Sequence, residues 1–272
     1  MERFERSGLT FDVRDCGPAD GEPVVLLHGF PQDGTAWSGV VPLLHAAGLR
    51  TLVPDQRGYS PGARPRSRRE YTLGHAVDDV LALLDAADLT AAHVVGHDWG
   101  GAVAWVLAGR HPVRVKSLTV VSTPHPAAMI RSMTRSTQGL RSWYMLAFQL
   151  PWLPELLMPG RMFDGLRRSG LPAAHAEHYA QMMQRPGALG HALNWYRAMP
   201  FAAGQKAPRS RVPTTYVWGN KDFALGRAAA EWTADFALAD YRFVELDAGH
   251  WLPERRPEQV AAAIVERVSS TS

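Results

Sequence analysis

The fold of this chain is predicted most directly by one stretch, His93-Val94-Val95-Gly96-His97-Asp98-Trp99-Gly100-Gly101. It begins as a short apolar run rich in β-branched residues, typical of a buried strand, and it leads into the apolar, helix-like residues 102–108. The two glycines Gly96 and Gly100 let the strand and helix backbones approach closely in the tight turn between them. Asp98 is therefore predicted at the tip of a turn, beside helix amide groups that favour a negative charge.

Similar short apolar runs recur along the chain and predict buried parallel strands at residues 23–27, 51–54, 93–96, 117–122, 214–218 and 241–246. Helix-like segments alternate with them. One follows Thr72, a possible N-cap, and carries an apolar face of Val77, Val80, Leu81 and Leu84. Another repeats an apolar residue every four positions, at Val260, Ile264 and Val268. Strand alternating with helix predicts an α/β fold with a doubly wound, mostly parallel sheet.

The alternation breaks between residues 126 and 212, where the pattern becomes helical and is interrupted by prolines. Apart from Met1, every methionine lies in this stretch, and these adaptable side chains suit a packed helical lid or an apolar pocket wall. We predict an inserted helical cap at 126–212, between a first core part at 1–125 and a second core part at 213–272.

Composition narrows the class of protein further. With 272 residues, 46% hydrophobic and 20% charged, the chain has enough apolar material for a sizeable core. The charged N-terminus and the lack of any run of about 18 apolar residues predict a cytoplasmic protein without a membrane span.

The single cysteine, Cys16, excludes an internal disulfide and is expected to be an inert thiol in an early strand. The net charge is only +3, and the basic run Arg64, Arg66, Arg68 and Arg69 is expected to be a solvated loop, so no nucleic-acid partner is predicted.

Three further motifs follow predicted strands. They are His28-Gly29-Phe30-Pro31, then Asp55-Gln56-Arg57-Gly58-Tyr59, and a third in two parts, Trp218-Gly219-Asn220-Lys221-Asp222 and Asp247-Ala248-Gly249-His250. Together with the turn at Asp98, they resemble the α/β-hydrolase superfamily over nearly the whole chain. The resemblance is specifically to its branch with an aspartate nucleophile, the epoxide hydrolases and haloalkane dehalogenases.

The resemblance implies a role for each motif residue. Asp98 would be the nucleophile, Asp222 the acid and His250 the base, in the chain order that this fold uses. The backbone N–H groups of Phe30 and Trp99 would form the oxyanion hole, and a cis bond would precede Pro31. His28 and His97 flank the site and are expected to be structural hydrogen-bonding residues.

The identity of residue 98 restricts the reaction. A carboxylate that attacks an ester gives an anhydride, whereas one that attacks an sp³ carbon gives an ordinary ester, so the substrate should carry a leaving group on carbon. Opening an epoxide also needs hydrogen-bond donors that stay protonated at neutral pH, and tyrosine meets this need. The family's paired cap tyrosines match Tyr144, in Ser142-Trp143-Tyr144-Met145-Leu146-Ala147-Phe148-Gln149, and Tyr196, in Asn194-Trp195-Tyr196-Arg197. Tyr179 matches neither and is expected to be a packing residue.

Two alternatives remain open. The first is dehalogenation by the same aspartate, because Trp99 with a cap tryptophan could imitate a halide cradle. Against it, fluoroacetate dehalogenases carry arginines where this chain has Trp99 and Ala102, and haloalkane dehalogenases often have an asparagine where it has Phe30. A ligand-binding protein that kept the fold without turnover is the other alternative, and the intact triad argues against it.

We therefore predict an epoxide hydrolase that forms a vicinal diol through a covalent hydroxyalkyl ester on Asp98. It should need neither a metal nor an organic cofactor. The expected partner is a small-molecule substrate, a moderately large apolar epoxide, with the oligomeric state and the identity of the epoxide left open. The substrate-binding residues should be Phe30, Trp99, Trp143, Trp195 and Trp251.

Overall fold

A single sheet forms the centre of the molecule, for which the computed structural model describes residues 1–202 and 207–271. Its strands are β1 (Arg3–Arg6), β2 (Leu9–Cys16), β3 (Glu22–Leu27), β4 (Leu49–Pro54), β5 (Ala92–His97), β6 (Val115–Val121), β7 (Thr214–Gly219) and β8 (Tyr241–Leu246). They lie in the order β1-β2-β4-β3-β5-β6-β7-β8. The six strands β3 to β8 pair in parallel, which confirms the strands predicted from the apolar runs.

The sequence indicated only an early strand at Cys16, which ends β2, and β1 was not predicted. β1 and β2 pair antiparallel, and β2 continues the sheet antiparallel to β4. In β2 the buried residues Phe11 and Val13 alternate with more exposed ones, so the strand lacks the continuous apolar run of a strand covered on both faces. Cys16 ends this strand and is exposed.

The helices that accompany the sheet are α1 (Val41–Ala46), α2 (Leu73–Ala86), α3 (Trp99–Arg110), α4 (Pro126–Arg135), α5 (Gln138–Arg141), α6 (Trp143–Ala147), α7 (Leu153–Leu157), α8 (Met162–Arg168), α9 (Ala173–Met183), α10 (Ala188–Arg197), α11 (Arg227–Glu231), α12 (Leu252–Arg255) and α13 (Pro257–Ser269).

Two apolar clusters cover the two faces of the sheet. In β3, Val25 and Leu27 belong to one cluster, whereas Val24 and Leu26 belong to the other. Successive side chains of a strand point to opposite faces, so a strand covered on both sides must be apolar at every position. This explains why the sequence predicted β3 to β7, whereas β8, which it also predicted, is an edge strand of half-buried and exposed residues.

The predicted helical faces are largely confirmed. In α2, Val77, Val80 and Leu84 are buried, although the Thr72 side chain makes no capping bond. Asp79 on the same helix is buried as well, and its carboxylate accepts a hydrogen bond of 2.8 Å from Arg57 Nε. In α13 the three apolar residues at four-residue spacing are all buried, as predicted.

The interval predicted as a cap is helical. Helices α4 to α10 lie between β6 and β7, and no strand occurs in residues 126–202 or 207–212. Residues 203–206 of the predicted cap lie outside the described residues, and the division into domains stays a prediction. Met162, Met182 and Met183 are buried, whereas Met133 and Met199 are exposed, so only part of the methionine set packs inside.

The basic run at residues 64–69 and the length of the helices were the subject of two further expectations. In the basic run Arg66, Arg68 and Arg69 are exposed, while Arg64 is half-buried and donates to the Gly58 carbonyl. Across the described ranges, no helix is both long enough and apolar enough to cross a bilayer.

Candidate active site

Asp98 lies between the end of β5 and the start of α3 in a strained backbone conformation. Its φ of +50° is one that bulky residues with a Cβ rarely adopt. A Cβ on Gly96 would collide with the Gly100 carbonyl, and one on Gly100 would collide with the Leu27 carbonyl. The Thr123 hydroxyl donates to the Asp98 carbonyl at 2.8 Å and helps to hold the turn. The glycine spacing in the sequence thus has the steric reason that was predicted.

Two backbone N–H groups converge on the Asp98 carboxylate. Phe30 N–H donates to Oδ1 at 2.8 Å, and Trp99 N–H bonds to the same carboxylate. A Cβ on Gly29 would collide with the Asp98 side chain, so the loop after β3 needs glycine at this position. The bond between Phe30 and Pro31 is cis, as the resemblance implied. The two N–H groups expected in the oxyanion hole are therefore brought together at the nucleophile candidate.

The three residues predicted as a triad meet at the carboxyl ends of the strands. His250 Nδ1 lies 2.8 Å from Asp222 Oδ2, and His250 Nε2 lies 3.8 Å from Asp98 Oδ2. The other Asp222 oxygen accepts hydrogen bonds from the N–H groups of Ala224 and Leu225. The Asp98 side chain is 21% exposed, against 4% for His250 and none for Asp222, so the nucleophile candidate is the member that a substrate could reach.

The charges of this group alter the pKa values of its members. Burial by itself lowers the pKa of His250, but the Asp222 carboxylate, with smaller contributions from Asp98 and Glu254, raises it to about 9. Burial raises the pKa of Asp98, while the His250 cation and the two N–H groups oppose this rise. At neutral pH the imidazole is consequently held as a cation between two carboxylates.

His28 and His97 hold the surrounding backbone, as predicted. His97 Nε2 lies 3.0 Å from the His250 carbonyl, which also accepts a hydrogen bond from the Ser122 hydroxyl. His28 Nε2 accepts a hydrogen bond from Gln56 N–H at 3.0 Å. These contacts fix the loops that carry the catalytic candidates.

Tyr144 and Tyr196 lie close enough to Asp98 for its charge to act on both hydroxyls. The rings of Tyr144 and Tyr196 are 6.2 Å apart, and Tyr196 packs edge-on against Trp99 at 5.1 Å and Phe30 at 5.4 Å. Burial, with the negative charge of Asp98 as the next cause, raises the pKa of both hydroxyls above the ordinary value of 10.0. Both side chains are therefore protonated donors at neutral pH.

The predicted substrate-binding tryptophans differ in their placement. Trp143 is 67% exposed and lies away from the site, because the next residue on α6, Tyr144, takes the inward position. Trp195 is buried behind Trp99, at 5.7 Å between rings, and its indole N–H donates to the Arg57 carbonyl. Trp251 packs edge-on against His250 at 5.1 Å. The expectation that Trp143 lines the pocket was wrong.

One aromatic residue of the site was missed by the sequence reasoning. Phe148 packs against Tyr144 at 5.6 Å, Tyr196 at 4.9 Å and Phe30 at 5.7 Å. It follows Tyr144 by four positions, the spacing that places two side chains on one face of a helix. That spacing could have identified it.

A buried carboxyl group was missed as well. Glu254 Oε1 accepts hydrogen bonds from Gln32 Nε2 at 2.7 Å and from the Tyr179 hydroxyl at 3.1 Å, and Oε2 is buried without a partner. Burial raises the pKa of Glu254 to about 7. Tyr179 is fully buried, as its expected packing role requires, and its hydroxyl belongs to this polar group. Nothing in the local sequence around Glu254 distinguishes it from a surface acid.

Within residues 1–202 and 207–271, no group of three or more His, Cys, Asp and Glu side chains is arranged to hold a metal ion. The polar side chains of the site instead form the chain Asp222, His250 and Asp98.

Comparison with known proteins agrees with this geometry. Residues 22–155 match the family model of the α/β-hydrolase fold. The chain is 34% identical to the AB hydrolase superfamily protein YfhM of Bacillus subtilis, covering 96% of this chain and 94% of that one. It is 31% identical to epoxide hydrolase A of Mycobacterium tuberculosis, covering 96% and 95% respectively. The crystal structure of epoxide hydrolase A from Mycobacterium thermoresistibile superposes with a TM-score of 0.85 at 28% identity, covering 99% of this chain and 98% of that one. The chain therefore belongs to the α/β-hydrolase superfamily, with a resemblance to its epoxide hydrolases.

Proposed function

We propose that the chain hydrolyses epoxides to vicinal diols, with Asp98 as a covalent nucleophile. The observation that carries this proposal is the pair Tyr144 and Tyr196, two protonated hydroxyl donors near a carboxylate that two N–H groups hold in place. The similarity to epoxide hydrolases of two mycobacteria supports the same reaction.

In the first step, an Asp98 oxygen attacks an epoxide carbon and the carbon–oxygen bond of the ring breaks. The electron pair goes to the epoxide oxygen, which Tyr144 and Tyr196 stabilise by hydrogen bonds and which takes a proton from one of them. The result is a hydroxyalkyl ester of Asp98. The raised pKa of both tyrosines keeps them protonated until this moment.

The second step is hydrolysis of that ester. Forming the ester removes the negative charge of Asp98, one of the charges that raise the pKa of His250, so the imidazolium gives up its proton more readily, and that proton replaces, through water, the one that the tyrosine donated. Neutral His250 then takes a proton from water, and the hydroxide attacks the ester carbonyl carbon. Phe30 and Trp99 N–H groups stabilise the oxyanion of the tetrahedral intermediate, whose collapse breaks the bond to the alkoxide oxygen of the diol. That oxygen takes the proton of the added hydroxyl group, which releases the neutral diol and restores the Asp98 carboxylate. Asp222 stabilises the imidazolium that forms again.

Aromatic rings of Phe30, Phe148, Trp99 and Tyr196 surround the reacting groups and favour an apolar epoxide. We propose that residues 126–212 act as the cap that supplies the tyrosines, that the steps require no metal or organic cofactor, and that the enzyme acts in the cytoplasm.

The placement of two tryptophans, Trp195 and Trp143, weighs against dehalogenation. A halide cradle would need a second indole N–H beside Trp99, but that of Trp195 is donated to the Arg57 carbonyl and Trp143 is exposed. A panel of epoxides, haloalkanes and fluoroacetate with product detection compares the candidate reactions directly. Diol formation supports our proposal, and halide release without diol formation contradicts it.

A single turnover in heavy-oxygen water tests the covalent route. If Asp98 forms an ester, the first diol contains an oxygen atom from the protein and the label enters the carboxylate of Asp98. Direct incorporation of the label into the first diol would refute the ester intermediate while leaving epoxide hydrolysis itself in place.

A further inference from the structure

The outer surface of the helical segment between β6 and β7 is unusually apolar. Twelve of the seventeen large apolar side chains exposed in the described residues lie between residues 126 and 202. We define the outer cap face by five of them, each at least 67% exposed: Leu140, Trp143, Leu146, Trp152 and Leu156. Scattered single apolar residues are ordinary on a protein surface, whereas a group of this kind indicates contact with a partner or a membrane.

Four of the five members of this face, all except Leu140, lie on segments that one buried arginine joins. Arg197 donates to the Phe148 and Leu150 carbonyls at 3.0 and 2.6 Å, and its guanidinium also binds the Glu155 carboxylate at 2.9 Å. These contacts join the end of α6, the following loop and α7. Trp143, Leu146, Trp152 and Leu156 are therefore exposed on backbone segments that are held together.

The conformation of Trp152 indicates that this surface binds a partner. Its backbone is left-handed, with φ of +51°, a conformation that is costly for a bulky residue, and its indole is 68% exposed. Burial of the indole within the protein does not compensate for this cost. Strain that presents an aromatic ring to solvent indicates a ring that meets a partner.

The charge of the segment identifies the partner. Residues 126–212 contain eleven Lys and Arg against three Asp and Glu, a formal charge of +8, whereas the whole chain carries +3 and the remainder therefore −5. The exposed arginines Arg135 and Arg161 lie on either side of the apolar face in the sequence, while the acid within it, Glu155, is bonded to Arg197. Tryptophan and leucine bordered by arginine are the composition of a surface that lies on anionic lipid.

We infer that the outer cap face docks on the surface of an anionic membrane. A second copy of the chain is the other occupant to consider, but a symmetric dimer through this face would bring the flanking arginines of both copies together. Helix α6 carries both Trp143 and Leu146 on this face and Tyr144 toward Asp98, so docking places the site next to the lipid in which an apolar epoxide dissolves. Only this last consequence rests on the proposed function.

Vesicle co-sedimentation of the full chain tests the inference. We expect binding to vesicles of phosphatidylcholine mixed with phosphatidylglycerol, and little binding to phosphatidylcholine alone. The variant W152S/L156S should lose at least about tenfold in affinity, because it removes two side chains that would enter the interface. The control V113S/L238S removes two exposed apolar side chains from outside the cap and should bind like the unaltered chain.

A second variant examines the charges without altering the apolar residues. R135Q/R161Q should weaken binding to anionic vesicles by about fivefold per arginine, the fold-change equivalent to about 1 kcal/mol each. Higher salt should weaken the binding of the unaltered chain in the same direction. Circular dichroism and thermal midpoints establish that each variant is folded.

Three results would overturn the inference. The first is equal binding by W152S/L156S and the unaltered chain, and the second is equal binding to neutral and anionic vesicles. The third is no binding to either kind of vesicle. If, in that case, light scattering detects a dimer that W152S/L156S dissociates, the face is a contact between copies of the chain. None of these results bears on epoxide turnover, so the proposed function is tested separately.

Discussion

Replacing Asp222 with Asn should slow hydrolysis of the ester far more than its formation. The pKa of His250 is about 9, against an ordinary 6.5, and Asp222 is the largest favourable cause. A difference of this size corresponds to about 3 kcal/mol of preference for the imidazolium. Imidazolium forms again as water attacks the ester, so losing this preference should slow hydrolysis about 10²-fold.

The substitution changes little else in the fold. Oδ1 of residue 222 accepts the N–H groups of Ala224 and Leu225, and an asparagine oxygen can accept the same two bonds. Asp247 provides a matched control because it lies on the His250 loop, is exposed and pairs with Lys221. D247N should therefore leave both steps unchanged.

The assay is a single turnover quenched at intervals, with intact-protein mass spectrometry for the ester and product analysis for the diol. In D222N the ester on Asp98 should accumulate and decay slowly, whereas D247N should behave as the unaltered chain. Equal slowing of ester formation and hydrolysis in D222N would refute the assignment of Asp222 to the second step. Unchanged hydrolysis would refute any stabilisation of the imidazolium by Asp222.

Three further predictions concern other members of the site. Y144F/Y196F should lower diol formation by about 10² or more, since donors to a developing oxyanion commonly contribute that much; full turnover in a steady-state assay would contradict the epoxide mechanism. H250Q should form the ester without hydrolysing it, so a stable mass increase on Asp98 is expected, and its absence with a confirmed substrate would count against the covalent route. The pKa of Glu254 is raised to about 7 from 4.5, so its contribution to stability is present below pH 4.5 and is lost as the pH rises through 7. The side chain of E254Q stays neutral, so between pH 5 and pH 8 the free energy of unfolding of this variant should rise by up to about 3 kcal/mol relative to that of the unaltered chain. Thermal or denaturant unfolding measures this difference, and the exposed control E258Q should show no such trend.

Sequence and structure agreed best at features that a few consecutive residues specify. The turn at Asp98 requires glycine at fixed offsets because neighbouring backbones would otherwise collide, and this requirement can be read from a few consecutive residues. The positions of Asp222 and His250 after apolar runs were equally readable, because parallel strands end at one edge of the sheet. The sequence by itself therefore determined the fold class, and its resemblance to the family identified the set Asp98, Asp222 and His250.

Contacts between distant segments were decided only by the tertiary structure. Trp143 and Tyr144 are adjacent in an aromatic string, but about 100° separates successive residues around a helix, so the docking of α6 determined which of them faces Asp98. Glu254 became a buried acid because Gln32, 222 positions earlier in the chain, reaches it. Burial and long-range hydrogen bonds depend on how helices and loops pack together, and the residues on either side of a position do not specify that packing.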